Sequence, residues 1–190
     1  MTKEKLYHEL NDVNHSREKR ILFSNIIINE PKMLSSLLEI VFEVDDKISC
    51  RAAWVLEFVC GAKLEVLTPY LEFFTSQLKK VHLDSAVRPL AKICEYIAVD
   101  CYNNKLSILK LPLINIYKEH IIEACFDWLI NDEKIAVKAY AMHTLFLFGK
   151  EFEWIHPELK IILEKDYESQ SSGYKARARK IMGWMDRNEQ

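Results

Sequence analysis

The sequence predicts an all-α fold of about four to five stacked helical hairpins, and three observations support this prediction. Glycine contributes only 4 of the 190 residues, although tight turns and phosphate-binding loops depend on it. Apolar residues recur at helical spacing along most of the chain. One short segment occurs four times. In it, a cation directly follows an apolar or bulky residue, and a small residue or tryptophan stands three positions after the cation. Repeats of this kind predict a solenoid in which each hairpin packs on its neighbours.

Apolar periodicity predicts ten helices in succession. In one of them, Val87, Ala91, Cys94 and Ala98 share a face, as the spacing of a buried helical stripe requires. The segment 105–114 is compatible with a loop, a short helical turn or a strand. The predicted helices cover residues 3–12, 16–28, 31–43, 47–60, 69–81, 84–101, 113–130, 134–148, 157–168 and 172–186.

Prolines and capping residues indicate where the helices of each pair begin. Proline is tolerated in a first helical turn because its missing N–H would have no partner there. Four prolines accordingly precede the first helices of pairs: Pro31, Pro69, Pro112 and Pro157. Side-chain oxygens that accept free backbone N–H groups favour N-caps of the second helices at Asp45 or Asp46, Asp84, Asp132, and Ser171 or Ser172.

The repeated segment gives the domain organisation. Its cations are Arg51, Arg88, Lys138 and Lys175, at spacings of 37, 50 and 37 residues. The longer middle spacing predicts an insertion near residues 102–115, in a loop between repeats. We therefore interpret residues 1–190 as a single repeat domain, with capping helices over 1–30 and about four hairpins over 31–186.

These repeats resemble those of the HEAT family in the armadillo/HEAT superfamily, whose second helices carry an apolar-Arg-x-x-Ala pattern with an aspartate six residues before the arginine. Asp45 precedes Arg51 by six residues, and Asp132 precedes Lys138 by six. The pattern is broken at His82 and Ser169, and Trp54 replaces the small residue. The resemblance implies a right-handed α-α superhelix. It also implies a structural ladder of hydrogen-bonded side chains, formed by Asp45, Arg51, Arg88, Asp132, Lys138 and Lys175. The alternative is that the cations of this set form a row that binds an anionic partner.

In such solenoids the second helices line the concave side, where partners dock. Projection at 100° per residue places one set of side chains opposite the apolar stripes. Tryptophan and tyrosine in this set are suited to anchor a protein partner, although Trp54 and Phe146 could instead pack against neighbouring repeats. The candidate binding residues are Trp54, Glu57, Lys92, Tyr96, Met142, Phe146 and Arg179.

No residue pattern indicates catalysis, a cofactor or a metal. Glu153 and His156 have the spacing of helical metal ligands, but only one copy exists and Pro157 follows directly. His143 lies in an apolar helix without an orienting partner evident in the sequence. Short bacterial chains similar to this one are sometimes labelled adenylosuccinate lyase. Such an enzyme needs a flexible loop rich in serine and glycine. Only residues 169–173 are comparable here, and they indicate a helix cap. An enzyme or enzyme-associated protein remains the alternative function.

Composition limits the classes of partner that this protein is expected to bind. The net charge of −2 gives no overall positive field, so a nucleic-acid or DNA-repair role is disfavoured, although the helix from residue 172 is locally basic. We expect that basic helix either to cap the solenoid or to bind an anion. No apolar segment is long enough for a membrane span, residues 1–5 lead into no signal peptide, and the five cysteines lack metal or disulfide spacing. The sequence thus predicts a cytoplasmic protein that binds another protein, with no prediction of its oligomeric state.

Overall fold

Helical hairpins account for the architecture of the described chain, which comprises residues 2–107, 109–110 and 112–188 of a computed structural model. These ranges contain α-helices and short 3-10 helices and no strand, as the sequence predicted. Three 3-10 helices cover Leu10–Asp12, Leu64–Tyr70 and Leu78–Lys80. The α-helices are α1 (Lys3–Glu9), α2 (Arg17–Asn29), α3 (Met33–Val41), α4 (Lys47–Ala62), α5 (Leu71–Gln77), α6 (Asp84–Asn103), α7 (Asn115–Ile130), α8 (Ile135–Phe148), α9 (Ile155–Asp166) and α10 (Ser172–Asn188).

The odd-numbered and even-numbered helices form two layers. In the layer of second helices, α2 packs on α4, α4 on α6, α6 on α8 and α8 on α10 without interruption. In the layer of first helices, α1 packs on α3 and α5 on α7, but across the described ranges no contact of similar extent joins α3 to α5 or α7 to α9. The second helices therefore lie closer together, which is the property of the inner layer of a curved stack.

The core fills the space between the two layers. Leu37, Leu56, Leu90, Leu129 and Leu145 come from five different helices, α3, α4, α6, α7 and α8, and are fully buried. Burial of such side chains contributes roughly 1.5–3 kcal/mol each, which is the main free energy that holds hairpin to hairpin. No described helix combines the length and the hydropathy that crossing a bilayer requires.

All five cysteines are free and buried, as expected. Burial raises the pKa of the Cys60, Cys94 and Cys125 thiols far above the ordinary value. Because the thiolate is the reactive form, these side chains act as small apolar core residues at neutral pH.

The ends of several helices differ from the predicted ones for local reasons. Asp46 caps α4 as predicted, since its Oδ1 accepts the Ile48 N–H at 2.8 Å. Asp84 and Asp132 were predicted to be caps and are not, because Leu83 and Lys134 occupy the N-cap positions of α6 and α8. Pro69 lies in a 3-10 helix before α5 and does not open an α-helix.

The predicted insertion connects α6 to α7. Residues 104–114 contain turns and no regular element in the positions that the structure describes, while Ile108 and Leu111 lie outside them. Asp100 Oδ2 accepts the Ser107 hydroxyl at 2.7 Å and the Leu109 N–H at 3.0 Å. Leu109 and Leu113 are buried against the core, so the segment is attached to the fold by both polar and apolar contacts.

Candidate functional site

The solvent-facing side of α2, α4, α6, α8 and α10, here called the second-helix surface, holds most of the predicted binding residues. Trp54, Lys92 and Tyr96 are half-buried there, and Arg179 on α10 is exposed. Glu57 is 9% exposed and Phe146 6%, so each presents only an edge. Met142 is fully buried, and its assignment to the surface is wrong. Helix α8 packs against α6, α7, α9 and α10, which leaves Met142 no solvent-facing side.

Trp54 connects three hairpins. Its indole N–H donates to the carbonyl of Ser85 at 2.8 Å. The His15 ring lies 4.9 Å from the indole, and the Arg20 guanidinium lies 5.0 Å above it. Pro89 stands four residues after Ser85 in α6 and has no N–H, so the helix itself leaves that carbonyl without its usual donor. The tryptophan therefore replaces a hydrogen bond that the helix lacks.

Glu57 of α4 and Arg88 of α6 form a bidentate ion pair. The two guanidinium nitrogens donate to Oε1 at 3.3 Å and to Oε2 at 2.6 Å. This geometry matches the planar fork of arginine to a carboxylate and is stronger than a single neutral hydrogen bond. The pair neutralises two charges in the middle of the second-helix surface.

A second carboxylate, Glu95 of α6, connects three hairpins. Its Oε2 accepts from Lys92 Nζ at 2.6 Å, its Oε1 pairs with His143 Nδ1 at 2.7 Å, and Arg177 of α10 lies 3.8 Å away. Burial alone would raise the pKa of this carboxyl, but the hydrogen bonds from His143 and Lys92 outweigh burial and hold the pKa below its ordinary value. Glu95 is therefore an ionised acceptor, and His143 Nδ1 carries the hydrogen that it donates.

Aromatic rings surround Lys92. Its ammonium lies 4.8 Å from the Tyr96 ring centroid and 4.6 Å from that of Tyr140. This arrangement favours the charged form through cation–π attraction. Burial lowers the pKa of Lys92, but the hydrogen bond to Glu95 and the negative charge of that carboxylate outweigh burial, so the pKa is raised.

The sequence did not show that His143 contacts Glu95 and Trp184, or that Arg177 lies close to Glu95. A signal for Glu95 was present, since a charged side chain within an apolar helical face is almost never buried unless it is paired. Its partner across the layer could not be read from one sequence, because His143 lies 48 residues further along the chain. The sequence showed no orienting partner for His143, and the structure provides one in Glu95.

The implied ladder of aspartates and cations does not form. Asp45 is exposed and lies 3.4 Å from His82, and in the described part of the chain neither Asp45–Arg51 nor Asp132–Lys138 is an ion pair. Arg51 instead donates to the backbone carbonyls of Leu10 and Asn11, in the preceding hairpin.

The other ladder cations also use different partners. Arg88 pairs with Glu57, as described above. Lys138 is buried at the start of α8. Burial and the charge of Asp84 raise the pKa of the nearby Glu133, and the charge of Lys138 opposes this rise only in part. Lys175 lies 3.6 Å from Glu168 and 5.6 Å from the centroid of the Tyr167 ring. Arg51, Arg88 and Lys175 thus contact neighbouring segments without the expected aspartates.

Three cavities open on this surface or beside it. One of about 470 Å³ is lined by His15, Arg20, Trp54, Asp84, Ser85, Arg88 and Lys134. One of about 390 Å³ is lined by Arg17, Ile21, Glu57, Phe58, Gly61, Ala62 and Tyr96. The third, of about 230 Å³, is lined by Asn103, His143, Phe146, Leu147, Lys150, Trp184 and Arg187, and we call it the α8–α10 cavity.

His156 of the Glu153–His156 pair contacts Phe146. His156 Nε2 lies 2.9 Å from the Phe146 carbonyl, and its ring stacks on that of Phe146 with centroids 5.5 Å apart. Across the residues that the structure describes, no three His, Cys, Asp or Glu side chains are grouped as metal ligands would be.

The stacked hairpins, with a continuous layer of second helices and a polar, aromatic surface on that layer, define a helical-repeat solenoid. A sequence model described as HEAT repeat domain matches residues 3–185, so this chain belongs to the HEAT repeat family. Membership indicates a helical-repeat scaffold of the kind that mediates protein interactions. No curated protein and no solved structure matches the chain.

Proposed function

We propose that this protein is an interaction scaffold that binds a partner protein through the second-helix surface. The observation that carries this proposal is the alternation of half-buried aromatic rings with cations along consecutive second helices. Phe58, Tyr96, Tyr140 and Trp184 supply the rings. Aromatic side chains of this kind anchor protein partners, since they bury a large area and have few rotatable bonds.

The prearranged geometry of the surface supports the proposal. Ion pairs and aromatic contacts already hold Trp54, Arg88 and Lys92 in place. Side chains that are fixed before binding lose little conformational entropy when a partner docks. The same ion pairs disfavour an enzymatic role for Glu57 and Glu95, because each carboxylate is already engaged by a cation.

The test is affinity purification of the tagged protein with a pair of matched variants. Phe58→Ala/Tyr96→Ala removes two rings that line the 390 Å³ cavity. Phe73→Ala/Trp154→Ala removes two rings on the side of the first helices, where Phe73 is 40% and Trp154 53% exposed. We expect a partner that is retained by the wild type and by the second variant and lost from the first. Retention by both variants would contradict the proposal, provided that thermal melting shows both to be folded.

A further inference from the structure

The charged side chains that line the α8–α10 cavity are cations, with no carboxylate among the described lining residues. His143, Lys150 and Arg187 line it together with the neutral Asn103. Lys150 Nζ contacts only the neutral Asn103 Oδ1, at 3.4 Å, and the Phe146 ring, at 5.5 Å. Within the described ranges, neither Lys150 nor Arg187 has a carboxylate partner. The chain as a whole carries a net charge of −2, so this local excess of cations is a property of the cavity.

The nearest acidic side chains are engaged elsewhere. Glu95 is buried between Lys92 and His143. Glu151 accepts from Lys118 Nζ at 2.7 Å and also from the Tyr102 hydroxyl. Asp186 lies 3.2 Å from Lys160. None of these carboxylates lines the cavity, so an anion that enters it meets donors without meeting a like charge.

Glu95 also orients His143 toward the cavity. Because Nδ1 donates its hydrogen to Glu95 at 2.7 Å, the ring nitrogen that remains for a ligand is Nε2, which is a hydrogen-bond acceptor in this tautomer. His143 lines the cavity and Glu95 does not, which places the ring between the buried carboxylate and the open space. Such a buried partner fixes the ring in one orientation before any ligand binds.

The floor of the cavity is aromatic. The rings of Phe146 and Trp184 lie 5.3 Å apart between centroids, and the His143 ring is 5.5 Å from Trp184. Lys180 lies 4.9 Å over Trp184 on the same helix. A ligand that complements this cavity therefore carries negative charge beside an apolar group.

We propose that the α8–α10 cavity binds an acidic segment of the partner protein, with carboxylates at Lys150 and Arg187 and an apolar side chain on Phe146 and Trp184. This inference rests on the proposed function and specifies the chemistry of its partner. Charge-assisted hydrogen bonds from lysine and arginine to carboxylates supply the polar part of the recognition.

The distribution of charge favours a protein segment over a nucleic acid. A nucleic-acid strand carries a charge at every nucleotide and binds along a continuous positive groove. Here the cations in the middle of the second-helix surface are neutralised, since Arg88 is paired with Glu57 and Lys92 with Glu95, both at 2.6 Å. Lys150 and Arg187, which have no carboxylate partner among the described residues, line one cavity together, and a pair of this kind suits a short acidic segment.

Fluorescence anisotropy tests the proposal with a defined probe. The probe is a short fluorescein-labelled peptide of glutamates around one tryptophan, and its control has glutamine in place of every glutamate. The site variant is Lys150→Glu/Arg187→Glu. The matched variant Lys32→Glu/Lys165→Glu makes the same change of charge at two exposed lysines of the other layer. A single-stranded oligonucleotide of equal charge is titrated in parallel.

We expect the glutamate peptide to bind the wild type and the matched variant alike, and the site variant at least about tenfold more weakly, as the loss of a charge-assisted bond predicts. Equal loss in both variants, or equal binding of the glutamine peptide, would overturn the proposal. Tighter binding of the oligonucleotide with the same dependence on Lys150 and Arg187 would assign the cavity to nucleic acid instead. If the peptide fails to bind while Phe58→Ala/Tyr96→Ala still loses its partner, the acidic-segment proposal fails and the scaffold function stands.

Discussion

Trp54 donates its indole N–H to the carbonyl of Ser85, the acceptor that Pro89 leaves without a helical partner. A proline inside a helix normally costs about 3 kcal/mol, partly through this lost bond. Here the missing donor is supplied by the preceding hairpin. The defect in α6 and the tryptophan in α4 are therefore parts of one contact, which explains why a large aromatic residue stands where the repeat usually has a small one.

This relationship predicts a measurable coupling between Trp54 and Pro89. Trp54→Phe keeps an aromatic ring but removes the N–H, and we expect it to lower the free energy of unfolding by about 1 kcal/mol. Pro89→Ala restores the helical donor, so the cost of Trp54→Phe should be smaller in that background. Urea unfolding of the two single variants and the double variant measures the coupling. Strictly additive costs would show that the carbonyl is not shared.

Glu95 predicts a specific dependence of stability on pH. Lys92, His143 and Arg177 face its carboxylate, and its pKa is below the ordinary value of about 4.3. The folded state then binds fewer protons than the unfolded state in this range, so its contribution is present above pH 4.3 and is lost as pH falls through the folded pKa.

The measurement compares the wild type with Glu95→Gln by urea unfolding between pH 7 and pH 3. We expect the variant to be less stable at pH 7 and the difference to shrink below about pH 4.3. The exposed Glu72→Gln serves as a control and should follow the wild type throughout. A difference that stays constant with pH would show that Glu95 is not ionised in the folded protein.

Two glycines predict opposite effects of the same substitution. A Cβ at Gly149 would lie 2.0 Å from His156 Cδ2, so alanine there must displace the ring that stacks on Phe146. We expect Gly149→Ala to destabilise by about 1–3 kcal/mol, as overpacking does. A Cβ at Gly183 of α10 meets nothing closer than 3.9 Å, and alanine there should stabilise by about 0.5–1 kcal/mol through helix propensity. Thermal unfolding of both variants checks the two signs.

Tyr174 predicts a stabilising substitution. Its side chain is 1% exposed, and its hydroxyl has no hydrogen-bond partner among the described residues. Burial also raises the pKa of this phenol to about 12. An unpaired buried polar group costs about 1–3 kcal/mol, so Tyr174→Phe should raise the free energy of unfolding by about 1 kcal/mol. A clear loss of stability in chemical denaturation would reveal a partner for the hydroxyl.

The helices were predictable because their signals are local. The predicted range 84–101 compares with Asp84–Asn103 for α6, and 134–148 with Ile135–Phe148 for α8. Met142 was misplaced because α8 was treated as having one apolar face. Its sequence is apolar all round, with Ala141, Met142, Leu145 and Phe146 all buried, and that pattern indicates a helix enclosed by others.

The contacts of the binding surface were not predictable in the same way. Whether Arg88 meets an aspartate of its own hairpin or Glu57 of the preceding one depends on the angle and spacing between hairpins. That geometry results from the packing of the whole core and produces no periodic pattern in the sequence. The type of the surface residues could thus be predicted, as for Lys92 and Tyr96, while their partners could not.

The network around Glu95 bears on how this chain can change length in evolution. Repeat proteins gain and lose whole hairpins, and a deletion is tolerated when the flanking repeats fit together again. Loss of the hairpin that contains α8 would remove His143, one of the two side chains that hydrogen-bond to Glu95. We therefore expect homologues with fewer or more hairpins to differ from this chain in the hairpins before α5, while the three hairpins that share Glu95 are inherited together.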